Sequence, residues 1–234
     1  MKYILIFTFF LMLKAATLPG QPMPGENPVL KKLDSVKNST SVAKHFAGLY
    51  YTSSVNLHSF ISGSSFQDSG FVLRMESSFL LFFLEAAVAD KNQKKVPEPW
   101  RVYFSHPALS ELQFKLAGAN AHINGDLWQA LCHEFNSEEI KRNKKGFINL
   151  NPSFRNTYRM FFNDAAAANK KVAVIQKFSL GLGKWYGWLM MKRWRKRQVK
   201  LAILYYENPY RFVKKEKAIS KKKQRIDRLI LRKL

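Results

Sequence analysis

Between Leu116 and His133 the chain reads LAGANAHINGDLWQALCH. Taken as a helix advancing about 100° per residue, this stretch is apolar on nearly every side. Leu116, Ile123, Leu127 and Ala130 fall on one face, and Ala117, Ala121 and Trp128 fall roughly opposite. A helix apolar all round has to be buried, so the rest of the chain must be built around it. The predicted architecture is an all-α, single-domain helical bundle with this helix at its centre.

One polar stripe runs between the apolar faces: His122, Asp126, Gln129 and His133, at i, i+4, i+7 and i+11. Asn120 and Asn124 form a second polar pair on another face. Gly118 and Gly125 lie beside the stripe. Each glycine costs a helix about 0.5–1 kcal/mol relative to alanine, so their presence points to close approach by a neighbour. A buried His and Asp one turn apart must be satisfied, because an unpaired buried polar group costs a few kcal/mol. Two readings stay open. Asp126 orients His122 within a structural network, or the pair belongs to a site. In a site, the two could direct ligands at one divalent metal ion, with other helices completing the set, or act as general acid and base without metal. Asn120, Asn124, Gln129 and His133 are the supporting polar groups in either case.

A second helix is predicted over Phe71–Ala89, with Phe71, Met75, Phe79, Phe82, Phe83 and Ala86 on its core face. Glu76 lies inside it. That carboxylate either faces the polar stripe, as a third member of the site, or is solvated or paired with an arginine. Shorter helices are expected at Pro28–Val36 and Val42–His58, and Asp68 is a candidate N-cap. Pro107 suits the first turn of the helix that follows it, and Asn143-Lys144-Lys145-Gly146 reads as a turn. The chain has no phosphate-cradling glycine loop, no paired-cysteine zinc spacing and no Gly-x-Ser-x-Gly elbow.

Residues 1–20 read as a secretory signal. Lys2 is the basic start, Tyr3–Leu13 the apolar run, and Ala15, Ala16 and Thr17 suit cleavage. The run is shorter than the roughly 20 residues of a membrane span. Residues 21–40 form a leader, with three prolines and a glycine between Gln21 and Pro28. The single cysteine, Cys132, excludes an internal disulfide framework. The protein is therefore expected to be exported.

The helical domain is placed at residues 41–180 and a basic, aromatic extension at 181–234. Lys and Arg number 39 against 16 acids, a formal charge of +23. From Gly181 onward there are 18 basic residues and three acids, 18 − 3 = +15 of that total. Trp185, Trp188, Trp194, Tyr205, Tyr206 and Tyr210 interleave with them. Cationic residues beside Trp and Tyr suit an anionic membrane surface or envelope polymer. Nucleic acid fits the charge as well but fits export less.

Several motifs fall in a fixed order: Phe66-Gln67-Asp68, Phe71-Val72, Arg74-Met75-Glu76, Val96-Pro97-Glu98-Pro99-Trp100, then Asn120-Ala121-His122-Ile123-Asn124-Gly125-Asp126-Leu127. In these the chain resembles an uncharacterised bacterial family, domain of unknown function 5995. The resemblance spans Val42 to His133 and is sharpest over Asn120–Leu127, with the basic C-terminus outside it. It implies an all-helical single domain and no established activity. Asn120, His122 and Asp126 match its signature, and Glu76 matches an acidic position.

Two function classes follow from the residues. The first is an envelope enzyme, a metal-assisted hydrolase with His122, Asp126 and Glu76 as catalytic residues and His122 and Asp126 as metal ligands. The second is a non-enzymatic protein that binds an anionic surface through its basic C-terminus.

Overall fold

The computed structural model describes residues 27–63, 69–168, 170, 173 and 182–233. The expected signal segment, most of the leader and the Asp68 cap lie outside them. The described residues are all-α, with no strand among them. Helix α1 (Pro28–Lys37) begins at Asn27, whose side chain accepts from the Val29 and Leu30 N–H groups. Helices α2 (Ala43–Gly63) and α3 (Ser69–Lys91) follow. They run antiparallel: His58 meets Glu76, Tyr50 meets Phe79 and Phe46 meets Phe83. A 3₁₀ turn at Glu98–Trp100 leads into the short α4 (Arg101–Phe104).

The central segment is helical from Glu111 to Glu134, with one interruption. Helix α5 (Glu111–Ala121) passes into a π turn (His122–Asp126) and then α6 (Leu127–Glu134). Here the Leu127 N–H reaches back five residues to the His122 carbonyl. Its residues Ala117, Gly118, Asn120 to His122, Asn124 to Leu127, Ala130 and Leu131 are all buried. Two apolar clusters meet at the π turn. Before it, Ala117 and Ala121 join Phe46, Phe83, Trp100, Tyr103 and Phe114. After it, Leu127 and Leu131 join Phe71, Phe135, Ile140 and Phe147. Phe79 packs against both.

The remaining helices are α7 (Ser137–Ile148), a 3₁₀ turn at Asn151–Phe154, α8 (Arg155–Ala168), α9 (Leu182–Glu207) and α10 (Pro209–Lys233). Two local expectations are corrected. Asn143–Gly146 lies inside α7, because Asn136 and Glu139 form a capping box and Ile140, Phe147 and Ile148 bury one face. The helix expected at Pro107 starts at Glu111, where Ser110 and Gln113 supply the capping box. Within the basic segment, Val199, Leu201 and Ala202 of α9 and Ile230 of α10 are buried. α9 packs on α6 and α7, and α10 packs on α5 and the π turn. Among the described residues no helix is long and apolar enough to cross a membrane.

Gly118 and Gly125 are sites of close approach, as expected. A Cβ on Gly118 would come closer than 3.0 Å to the Phe46 side chain, and one on Gly125 would do the same to Pro99. Gly70, near the start of α3, has nothing within 4 Å. Alanine should therefore act with opposite sign at these positions. Gly118→Ala and Gly125→Ala should each destabilise by about 1–3 kcal/mol through overpacking, whereas Gly70→Ala should stabilise by up to about 1 kcal/mol. Denaturant unfolding of the three variants measures this, and a stabilised Gly125→Ala would show that Pro99 is free to move.

Candidate functional site

The π turn inserts a residue into the helix and turns everything after it out of register with what came before. His122 and Asp126 bracket that turn. His122 is 4% exposed and Asp126 1%. Asp126 Oδ2 accepts from the Trp100 indole N–H at 2.7 Å and lies 3.3 Å from His122 Nδ1. An indole nitrogen only donates, so this oxygen is already an acceptor. His122 Nδ1 is within hydrogen-bond distance of the same oxygen, and Nε2 is buried without a partner. The imidazole is sandwiched by rings: Phe79 is stacked at 3.2 Å between centroids, and Tyr50 lies at 4.6 Å. Burial in this aromatic nest pushes the His122 pKa well below its ordinary 6.5, so the ring is a neutral base. Burial drives the Asp126 carboxyl upward. The Trp100 hydrogen bond and the nearby Lys223 charge oppose that rise, and Glu85 adds to it.

Glu76 is 2% exposed, and its Oε2 accepts from His58 Nε2 at 2.7 Å. His58 is partly exposed, and its Nδ1 lies 3.4 Å from the Asn27 amide nitrogen. A second acid–imidazole pair thus runs from the interior to the surface. Glu76 and His122 line the same cavity, of about 290 Å³, whose walls are mostly apolar. Four buried polar atoms without a hydrogen-bond partner belong to residues that line it: Ser54 Oγ, Glu76 Oε1, His122 Nε2 and Trp194 Nε1. Buried polar groups are satisfied in the great majority of cases, so these four are exceptions, each shielded from solvent on a residue of the cavity wall.

The other expected residues divide. Asn120 and Asn124 line the cavity and extend into a buried network. The Asn124 amide donates to the Asn120 side-chain oxygen (2.8 Å), and the Asn120 amide donates to Asp227 Oδ1 (2.7 Å). Asp227 Oδ2 pairs with Lys223 at 2.8 Å. Gln129 and His133 are rotated away by the π turn. Gln129 donates to the Gly125 carbonyl, and the exposed His133 pairs with Ser78 Oγ. Asp126 with Gln129 borders a separate groove.

His122 and Asp126, the expected metal ligand pair, meet through Nδ1 and Oδ2. Each faces the other, and the facing Asp126 oxygen is taken by Trp100 as well. Among the described residues no group of three or more His, Cys, Asp or Glu side chains is gathered as a metal site.

Ser54, His58, Trp100 and Trp194 were not assigned to this site from the sequence. His58 could have been found from the α2–α3 hairpin, because residues at equal distances from its turn face each other. Trp100 and Pro99 lie in the Pro-Glu-Pro-Trp motif. That motif meets the Asn120–Leu127 motif directly, Trp100 on Asp126 and Pro99 on Gly125.

The model of a family of unknown function, DUF5995, matches residues 27–232. The chain belongs to this family. The match runs from α1 to α10, so the basic C-terminal helices lie inside the family domain, contrary to the narrower resemblance at Val42–His133. No curated protein and no solved structure matches the chain.

The two buried groups of the π turn act on stability in opposite senses. With His122 depressed, the unfolded chain takes up a proton below about pH 6.5 that the folded chain does not, so this group removes stability as pH falls. With Asp126 raised, the folded chain binds its proton first, so this group adds stability as pH falls. Asp126→Asn keeps an acceptor for Trp100 but removes the second effect. This variant should lose stability more steeply than wild type between about pH 6.5 and 5, by up to about 1.4 kcal/mol per pH unit. Chemical denaturation across that range tests it. A slope shallower than that of wild type would mean that Asp126 stays ionised in the fold and that its carboxyl is not raised.

Proposed function

We propose that this DUF5995 protein is a small-molecule hydrolase that works by acid–base chemistry in the cavity beside the π turn. The observation that carries this reading is the buried, neutral His122 on the wall of a mostly apolar cavity, one of four lining residues with an unpartnered buried polar atom. A largely apolar pocket with a few convergent polar groups and a strongly perturbed imidazole is the usual form of a small-molecule site. The cavity would hold the apolar body of an ester or similar acyl compound. Asp126 fixes the His122 ring with Nε2 toward the cavity. His122 Nε2 takes a proton from water as the water oxygen adds to the acyl carbon. The imidazolium, stabilised by Asp126, then gives that proton to the departing alkoxide, leaving acid and alcohol. Glu76 and the partly exposed His58 offer a path by which the proton released from the acid product reaches solvent. No step passes through a metal.

His122→Gln removes the base at little cost in volume. Turnover of short-chain p-nitrophenyl esters by purified protein should fall about 10²–10⁴-fold in this variant, with helical content unchanged by circular dichroism. Glu76→Gln should fall less. Wild-type turnover in His122→Gln would end the hydrolase reading.

A second reading, binding to an anionic surface, is favoured by the outer face of α10. Arg211, Lys214, Lys215, Lys217, Lys221, Arg225, Arg228 and Arg232 are exposed there, and Tyr210 beside them is 82% exposed. Export, read from residues 1–20, would bring that face to an envelope surface. The side chains of Trp185 and Trp188 lie outside the described residues. Each Lys or Arg near an anionic membrane contributes about 1 kcal/mol. Replacing Lys214, Lys215, Lys217 and Lys221 with Gln should abolish salt-sensitive co-sedimentation with phosphatidylglycerol vesicles while leaving ester turnover intact. Unchanged sedimentation would exclude this face, and complete displacement by duplex DNA at low excess would show a general polycation.

A further inference from the structure

The acids of the last two helices all lie off the outer face of α10. Glu207, at the end of α9, is held by Ser137 and Lys141. Asp227 is buried against Lys223, and Glu216 borders the groove beside Asp126. At about 100° per residue, Tyr210, Lys214, Lys217, Lys221, Arg225, Arg228 and Arg232 fall within about 80° of arc, opposite the buried Lys223 and Ile230. All seven are exposed. Among the described residues none of the six cations forms an ion pair. At a rise of about 1.5 Å per residue the six span about 27 Å, so one flat anionic surface can touch the whole row.

The row begins in apolar surface. Tyr210 stands first in it and is 82% exposed, and Val213 on its flank is 61% exposed. Tyr205, on the other side of the α9–α10 turn, is exposed as well, its ring packed against Phe212 and Trp128. Charge alone suits any polyanion. An exposed aliphatic side chain, however, adds nothing to a phosphodiester chain, whose affinity comes from its charge. It does gain from the boundary between lipid headgroups and acyl chains. Tyrosine suits the same level, where its ring leaves water and its hydroxyl keeps it.

Resting on the anionic-surface reading above, we infer that the partner is an anionic lipid bilayer and that the α9–α10 turn is where the protein enters it. Tyr210 and Val213 sit at the headgroup–acyl boundary, and the row from Lys214 to Arg232 lies along the headgroup phosphates. Entry is interfacial, since among the described residues no helix is long and apolar enough to cross. Binding then has two separable parts. The cations supply one that salt screens. The turn supplies one that salt leaves in place, because it comes from apolar surface removed from water.

The test is co-sedimentation of full-length protein with phosphatidylglycerol vesicles at low salt and at about 0.5 M sodium chloride, where the Debye length is roughly 4 Å. Tyr210→Ser combined with Val213→Ser should lower partitioning about tenfold at both salt concentrations. Lys214→Gln, Lys217→Gln and Lys221→Gln together should lower it at low salt and hardly at high salt. Val88→Ser removes a side chain of α3 that is 56% exposed, and it should change nothing. These side chains are all exposed, so circular dichroism should show an unchanged fold in each variant. Wild-type partitioning of the Tyr210→Ser, Val213→Ser protein at high salt would overturn the inference and leave adsorption by charge intact. An equal loss in Val88→Ser would also overturn it. A matching loss of affinity for an oligothymidylate would place Tyr210 against bases and overturn the bilayer as occupant. No sedimentation of wild type at either salt would end the anionic-surface reading itself, and this inference with it.

Discussion

The contact of Pro99 and Trp100 with the π turn holds the rest of the structure in place. A regular helix through His122–Asp126 would set its side chains at even angles. The added residue in this turn instead swings Asp126 onto the Trp100 indole and leaves His122 facing the rings of Phe46, Tyr50 and Phe79. The distortion is secured from outside, because Gly125 admits Pro99 where a side chain could not fit. A hydrogen bond contributes about 0.5–1.5 kcal/mol net, so the Trp100–Asp126 bond offsets part of what an irregular turn gives up.

The turn also joins two apolar clusters that would otherwise be separate. Phe79 packs on both clusters and stacks on His122, which couples the packing of the core to the orientation of the imidazole. Apolar residues in place of Ser54, Glu76, His122 and Trp194 would remove these unsatisfied atoms. That these atoms persist in so apolar a setting is intelligible where function is gained at some cost to stability.

Helix α10 serves two environments at once. Its inner face carries Lys223, Asp227 and Ile230 against α5 and the π turn, and through Asn120 and Asn124 it reaches the cavity wall. The buried Lys223–Asp227 pair needs both members, since removing one partner of such a pair costs about 3–5 kcal/mol. The outer face keeps its Lys and Arg side chains in solvent. A segment that composition marks as a solvated tail is thus also a structural wall of the domain, and its inner and outer residues answer to different constraints.

Much of this was fixed by the order of residues alone. The apolar run with a polar stripe required a buried helix, and Gly118 and Gly125 required close neighbours, because both follow from helical geometry and side-chain volume. The all-α class and the burial of His122 and Asp126 follow from the same patterns, whereas Glu76 was open between a buried and a solvated place. Tertiary structure decided the rest. The π turn depends on what packs against it, so 100° periodicity carried Gln129 and His133 onto a stripe they do not share with His122. The partnership of Glu76 with His58 depends on how α2 and α3 align, and that of Asp126 with Trp100 on a contact across 26 residues. The placement of Trp194 on the cavity wall depends on α9 docking against α6 and α7. Local pattern fixes what a side chain must avoid, namely water or an unpaired burial. Which partner relieves it is settled only when distant segments meet.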